Sequence, residues 1–312
     1  MNPDLLLIEP MTPDVEAQLD AAYCVHRYYQ ASDRSALLSQ VGHRVRAVVT
    51  GGRTGVSNDI MDALPELGII TINGIGTDAV DLEHARQRGI RVTTTPDVLT
   101  DDVADMAIGL LLATARRISA NDRFVREGRW PHGRAPLGTQ VSGKRLGILG
   151  LGRVGRAVAR RAEGFGMTIA YCDPHRIPDV SYRYQSDLVA LAAESDFLVI
   201  AASGGPASHG IVERRVLDAL GPNGILVNVA RGSIVDEQAL VAALTEKRLG
   251  GAGLDVFIHE PDVPQALWTL DNVVLQPHRA SATAETRRAM ADLVLANLAA
   301  HFAGRELPSA VV

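Results

Sequence analysis

The chain has 312 residues, a net charge of −5, 46% hydrophobic and 21% charged side chains. That composition fits a soluble globular protein long enough for two domains. The acidic balance argues against a nucleic-acid-binding surface, and no apolar run reaches the ~20 residues of a membrane-spanning helix.

The N-terminus has no basic segment ahead of an apolar one, so no secretion signal is expected. Residues 1–97 then repeat a strand–helix pattern. Strands are predicted at Leu5–Glu9, Cys24–Tyr29, Val45–Thr50, Gly68–Asn73 and Arg91–Thr95, with helices at Asp14–Ala22, Arg34–Val41, Ser57–Leu64 and Asp81–Arg88 between them. Such alternation predicts a parallel sheet covered on both faces. Glycines stand at two strand ends, Gly51-Gly52 and Gly74-Ile75-Gly76. Ligands of open α/β sheets bind at the carboxyl ends of strands, so backbone N–H groups at Ile75 and Gly76 are candidates to hold a carboxylate. Cys24 and Cys172 have no metal or redox spacing. Both fall in predicted strands, which predicts buried free thiols in a reducing, cytoplasmic compartment and no metal.

Residues 101–118 predict one long helix, with Thr100 as N-cap and Asp101 and Asp102 favourable to its dipole. Its apolar stripe, including Val103, is wide enough for burial all round, as an interdomain or dimer element would need. Residues 119–144, with Trp130-Pro131-His132-Gly133, read as a polar loop or arm.

The stretch from Leu146 to Arg160 organises the second half. A short apolar strand leads into Gly150, Gly152 and Gly155, then into a helix marked by Val154, Val158 and Ala162 at helical spacing. A second strand, Thr168–Cys172, ends at Asp173, eighteen residues after Gly155. This is the complete context of a dinucleotide-binding turn: one glycine for the tight turn, one for close approach of a pyrophosphate, one for helix–strand packing, and a carboxylate for the ribose hydroxyls. Further strands are predicted at Phe197–Ala202, Ile225–Val229, Gly253–Phe257 and Val273–Gln276, and a final helix over Thr283–Phe302.

Three polar residues follow three of these strands: Arg231, Glu260 and His278. Each type alone is more often a surface or structural residue. Together at the strand ends of one nucleotide-binding domain they suit reduction of a 2-oxo acid. An imidazole titrates near working pH and can donate a proton to the carbonyl oxygen. A carboxylate on its other ring nitrogen would orient it, and the planar fork of arginine binds a carboxylate or keto oxygen. Asp255, at its strand end, could contact the nicotinamide carboxamide.

At these residues the chain resembles the D-isomer-specific 2-hydroxyacid dehydrogenases. The resemblance covers residues 73–81, 95–105, the glycine turn, 228–237, 253–257 and Pro277-His278, and is nearest to the hydroxypyruvate, hydroxyphenylpyruvate and glyoxylate reductase group. It implies an α/β fold of two Rossmann-like, doubly wound domains with the active site in the cleft between them. The substrate domain would be residues 1–97 and 285–312, the dinucleotide domain residues 98–284. It also implies Arg231, Glu260 and His278 as catalytic residues. Gly150, Gly152, Arg153, Val154, Gly155, Asp173, Arg176, Ala230, Asp255 and Val103 would line the cofactor site, and Gly74, Ile75 and Gly76 would bind the substrate carboxylate. A homodimer built through the cofactor domains is the family's usual form.

Two departures bear on specificity. The reductase group often carries a small residue and arginine where this chain has Asp173-Pro174-His175-Arg176. A carboxylate there repels a 2′-phosphate and predicts NAD, with NADP as the alternative through Arg176 and His175. Arg279 also replaces a small apolar residue after the histidine, and Arg53 follows the Gly51-Gly52 turn. Both are candidates to read a second anionic group on the substrate. The rival readings are a non-catalytic NAD-sensing interaction protein on the same fold, and a formate- or phosphite-type dehydrogenase.

Overall fold

The computed structural model describes residues 2–312. Its backbone gathers into two compact units: the residues up to Leu99 with Thr283–Val312, and Thr100–Ala282.

The first unit holds five parallel strands: β1 (Asp4–Leu7), β2 (Cys24–Arg27), β3 (Val45–Gly51), β4 (Ile69–Asn73) and β5 (Arg91–Thr93), in the order β2-β1-β3-β4-β5. Successive strand residues point to opposite faces, so the sheet builds two cores. Leu6, Val48, Ile70 and Val92 pack on one face. Leu5, Leu7, Ala47, Val49 and Ile69 pack on the other, under Ala291, Val294 and Leu298 of the final helix, Ala284–Phe302. That helix is capped by Thr283, whose hydroxyl accepts from the Thr286 amide. Strands and helices fall where periodicity predicts them, within a residue or two at most ends.

The second unit holds seven parallel strands: β6 (Arg145–Leu149), β7 (Thr168–Cys172), β8 (Arg183–Tyr184), β9 (Phe197–Ile200), β10 (Ile225–Asn228), β11 (Gly251–Leu254) and β12 (Val273–Leu275). Their order is β12-β11-β10-β9-β6-β7-β8. The order reverses at β6, which lies between β7 and β9. That reversal is the switch point where open α/β sheets bind ligands, and the glycine turn follows β6 directly.

Three expectations are corrected. The predicted helix over 101–118 begins at Thr100 itself, so Thr100 is a helical residue and not a cap, and it ends at Ala115. Arg117 turns left-handed at φ 55°, and a second helix, Ile118–Arg126, occupies part of the predicted arm. The cause is distant: the Thr139 amide takes the Ala115 carbonyl at 2.7 Å, which satisfies the helix end there. Within this unit the Thr100–Ala115 helix also keeps an open side. Asp101, Asp105 and Gly109 are exposed, and the two carboxylates pair with Arg161 of the Arg153–Glu163 helix. Finally, Cys172 is buried as expected, but Cys24 is exposed, because β2 is an edge strand.

Among the described residues no helix is long and apolar enough to cross a membrane.

Candidate active site

Gly150 leaves β6 at φ 88°, and a Cβ on it would lie 2.5 Å from the Ala202 Cα. A Cβ on Gly155 would lie 2.1 Å from the Gly150 carbonyl oxygen. Glycine is required at both positions by backbone shape and close approach. Gly152 differs, since no atom lies within 4 Å of its Cβ position. It caps the Arg153–Glu163 helix and offers no side chain to the first-turn amides. Open room over a helix N-terminus that has no side-chain cap fits a diphosphate, so these residues suit a dinucleotide. Arg153 is exposed here and Val154 half-buried.

Asp173 stands one residue past β7, and its Oδ2 accepts from the Leu151 amide at 2.9 Å. The carboxylate is therefore pinned to the glycine turn by main chain. His175 and Arg176 are exposed on the same loop.

Arg231, Glu260 and His278 lie beyond β10, β11 and β12, three neighbouring strands. His278 Nδ1 meets Glu260 Oε2 at 2.8 Å, and Glu260 Oε1 accepts from the Phe257 amide at 3.0 Å. The carboxylate is nearly buried, 11% exposed, while the imidazole is 37% exposed. One ring nitrogen is thus held from inside and the ring remains reachable. The histidine sits in a left-handed turn, φ 55°. Its amide donates to the Asp255 carbonyl at 2.8 Å. The Asp255 carboxylate accepts from the next two amides, Arg279 at 2.7 Å and Ala280 at 2.9 Å. Burial pushes the Asp255 carboxyl up, against the pull of those amides. Asn228 supports the Arg231 turn in a similar way. Its side chain accepts from the Ala230 amide and donates to the Arg231 carbonyl. Val103 is buried in its helix, and the Arg279 side chain is exposed.

In the first unit the two glycine turns meet. A Cβ on Gly52 would lie 3.0 Å from the Gly76 carbonyl oxygen, and one on Gly74 would lie 3.4 Å from the Gly52 amide nitrogen. Gly74 is fixed further by the Thr95 amide, which donates to its carbonyl at 2.8 Å. Ile75 and Arg53 are exposed.

Residues 108–280 match the model of the D-isomer-specific 2-hydroxyacid dehydrogenase NAD-binding domain. The chain belongs to this family. It is 47% identical to a 2-ketogluconate reductase of Gluconobacter oxydans, over 100% of this chain and 99% of the relative. It is 49% identical to a hydroxyphenylpyruvate reductase of Plectranthus scutellarioides, over 99% and 98%. Among solved structures, an NADPH-dependent glyoxylate/hydroxypyruvate reductase of Sinorhizobium meliloti, in complex with NADP and malonate, superposes with a TM-score of 0.94 at 41% identity, over 100% of this chain and 97% of that one.

As a member of the family the chain is an NAD(P)-dependent oxidoreductase of 2-oxo and D-2-hydroxy acids. The naming of these relatives as reductases favours catalysis over the nucleotide-sensing alternative. Sequence reasoning missed Asn228 and the turn-holding bonds of Asp255. The available signal for Asn228 was a lone amide inside the apolar run 225–230, three residues before Arg231.

Proposed function

We propose that the chain reduces a small 2-oxo acid of the glyoxylate, hydroxypyruvate or phenylpyruvate kind to the D-2-hydroxy acid, with His278 as proton donor. The observation that carries this reading is the 2.8 Å contact between His278 Nδ1 and the shielded Glu260 carboxylate. That contact directs the other nitrogen, Nε2, to the proton transfer. The bound nicotinamide supplies the hydride. Arg231 binds the carboxylate or keto oxygen, and the amides at Gly74, Ile75 and Gly76 take the substrate carboxylate. Arg53 and Arg279 suit a substrate with a second anionic group.

Gly150, Gly152, Arg153, Val154 and Gly155 hold the diphosphate, Asp173 the ribose, and Ala230 and Val103 the nicotinamide half. Asp173 supports NAD, with Arg176 as the element favouring NADP. Asp255, whose two oxygens are both engaged by main chain, is better suited to support the His278 turn than to serve as a dedicated carboxamide ligand. The exposed apolar side chains Ile118, Val125, Trp130 and Leu137 support a homodimer formed through the second unit. The two free cysteines support a reducing, cytoplasmic setting.

The test follows nicotinamide absorbance with NADH or NADPH and a panel of 2-oxo acids. His278→Ala is expected to abolish turnover and to bind NADH as the parent does. Undiminished turnover in that variant would refute the assignment.

A further inference from the structure

The edge of the first unit carries a cluster that reductase chemistry does not use. β1 and β2 run parallel with Asp4 beside Cys24 and Leu6 beside His26. Strand alternation puts Cys24 and His26 on one face, and the Asp4 side chain joins them from the next strand. His26 Nε2 lies 2.7 Å from Asp4 Oδ1 and 3.9 Å from Cys24 Sγ. One ligand atom from each residue falls within 4.8 Å of the others. Cys24 is exposed, so the site opens to solvent.

We propose that Asp4, Cys24 and His26 form a binding site for a divalent cation of the zinc class, with water completing the shell. A tetrahedral zinc with ordinary bond lengths sets its N and O ligands about 3.4 Å apart and its N and S ligands about 3.6 Å apart. The N–O pair must therefore open by about 0.7 Å and the N–S pair close by about 0.3 Å. Side-chain rotation suffices for shifts of that size. Thiolate, imidazole and carboxylate form a borderline-soft donor set suited to zinc rather than to magnesium or calcium. Binding breaks the His26–Asp4 hydrogen bond: the imidazole keeps its proton on Nδ1 so that Nε2 can ligate, the thiol proton is released to solvent, and thiolate plus carboxylate then neutralise the dication.

Arg44 is the opposing group. Its Nη2 sits 3.6 Å from the same Asp4 oxygen, but the side chain is half-exposed and can swing into solvent. A bound ion would staple the edge strand β2 to β1.

The experiment uses the full chain freed of metal by a chelator. Cobalt(II) is titrated as a spectroscopic probe, and zinc is measured by competition with a chromophoric chelator near neutral pH. The expected result is one equivalent of cobalt with a thiolate charge-transfer band, lost in Cys24→Ser. Zinc affinity should fall at least tenfold in His26→Gln and rise in Arg44→Ala. Zinc should raise the melting temperature of the parent but not of Cys24→Ser. The other thiol, Cys172, is buried and pushed up by that burial, so it does not supply the band. Absence of the band, a band that survives in Cys24→Ser, or zinc affinity unchanged in His26→Gln would overturn the proposal.

Discussion

Asp255→Asn separates positioning from binding. The Asp255 carboxylate accepts two amides, at 2.7 and 2.9 Å, from the residues that follow His278. Hydrogen bonds to a charged group contribute about 1.5–3 kcal/mol each. Asparagine keeps one acceptor and turns an NH2 towards the second amide, so about 2–3 kcal/mol of support for the turn is lost. His278 is held at φ 55°, which costs a non-glycine residue about 1–2 kcal/mol. The loss matches or exceeds that strain, so the turn relaxes and the imidazole moves. A displacement near 1 Å can cost about 10²-fold in rate. Global stability should change little, because removing a buried charge also removes its desolvation cost. We expect kcat to fall about 10²-fold in steady-state assays, while the dissociation constant for NADH and the urea midpoint hold. A kcat near the parent value would refute the reasoning. So would a weakened NADH affinity with kcat intact, which would make Asp255 a cofactor contact.

Glu260→Gln keeps an acceptor for the Phe257 amide but removes the ionised partner of His278 Nδ1, and kcat should fall about 10²-fold or more with little change in NADH affinity. Asp173→Ser should raise the NADH KM about tenfold, the loss of one hydrogen bond to a charged group, and shift the kcat/KM ratio towards NADPH; an unmoved ratio would discount the carboxylate. His301 is held below its ordinary pKa of 6.5 by burial and then by Arg46 and Arg91. The unfolded chain therefore takes up a proton near pH 6.5 that the folded chain refuses. That contribution to stability is complete above this pH and is lost as pH falls towards the folded value. His301→Leu should flatten the fall of the urea midpoint over that range, and an unchanged slope would assign the acid sensitivity elsewhere.

The candidate site was legible in sequence because a doubly wound sheet delivers side chains that follow its strands to one edge, the carboxyl end. Gly150, Gly152 and Gly155 follow β6, and Arg231, Glu260 and His278 follow β10, β11 and β12, so chain order alone groups them. What escaped depends on main-chain groups far along the chain. The break at Arg117 needs the amide of Thr139, and the role of Asp255 needs amides about two dozen residues later. Exposure of Cys24 needs the sheet order, since only that order makes β2 an edge. Period-2 patterning says which residues share a face, but not that Asp4 arrives beside Cys24 and His26.

The same distinction bears on cofactor choice. From sequence, Asp173 and Arg176 pull in opposite directions and neither has priority. In the fold they are unequal. Asp173 is held by the Leu151 amide before any ligand arrives, so swinging its charge aside to admit a 2′-phosphate costs that hydrogen bond, about 1.5–3 kcal/mol. Two like charges about 4 Å apart at an effective dielectric near 20 repel by about 4 kcal/mol. Arg176 is exposed, and its side chain must be ordered to help. Exposed pairs of that kind contribute about 0–1 kcal/mol. The fixed repulsion outweighs the mobile attraction, which is why NADH is the cofactor we expect to be preferred, even though a relative at 41% identity is named as NADPH-dependent.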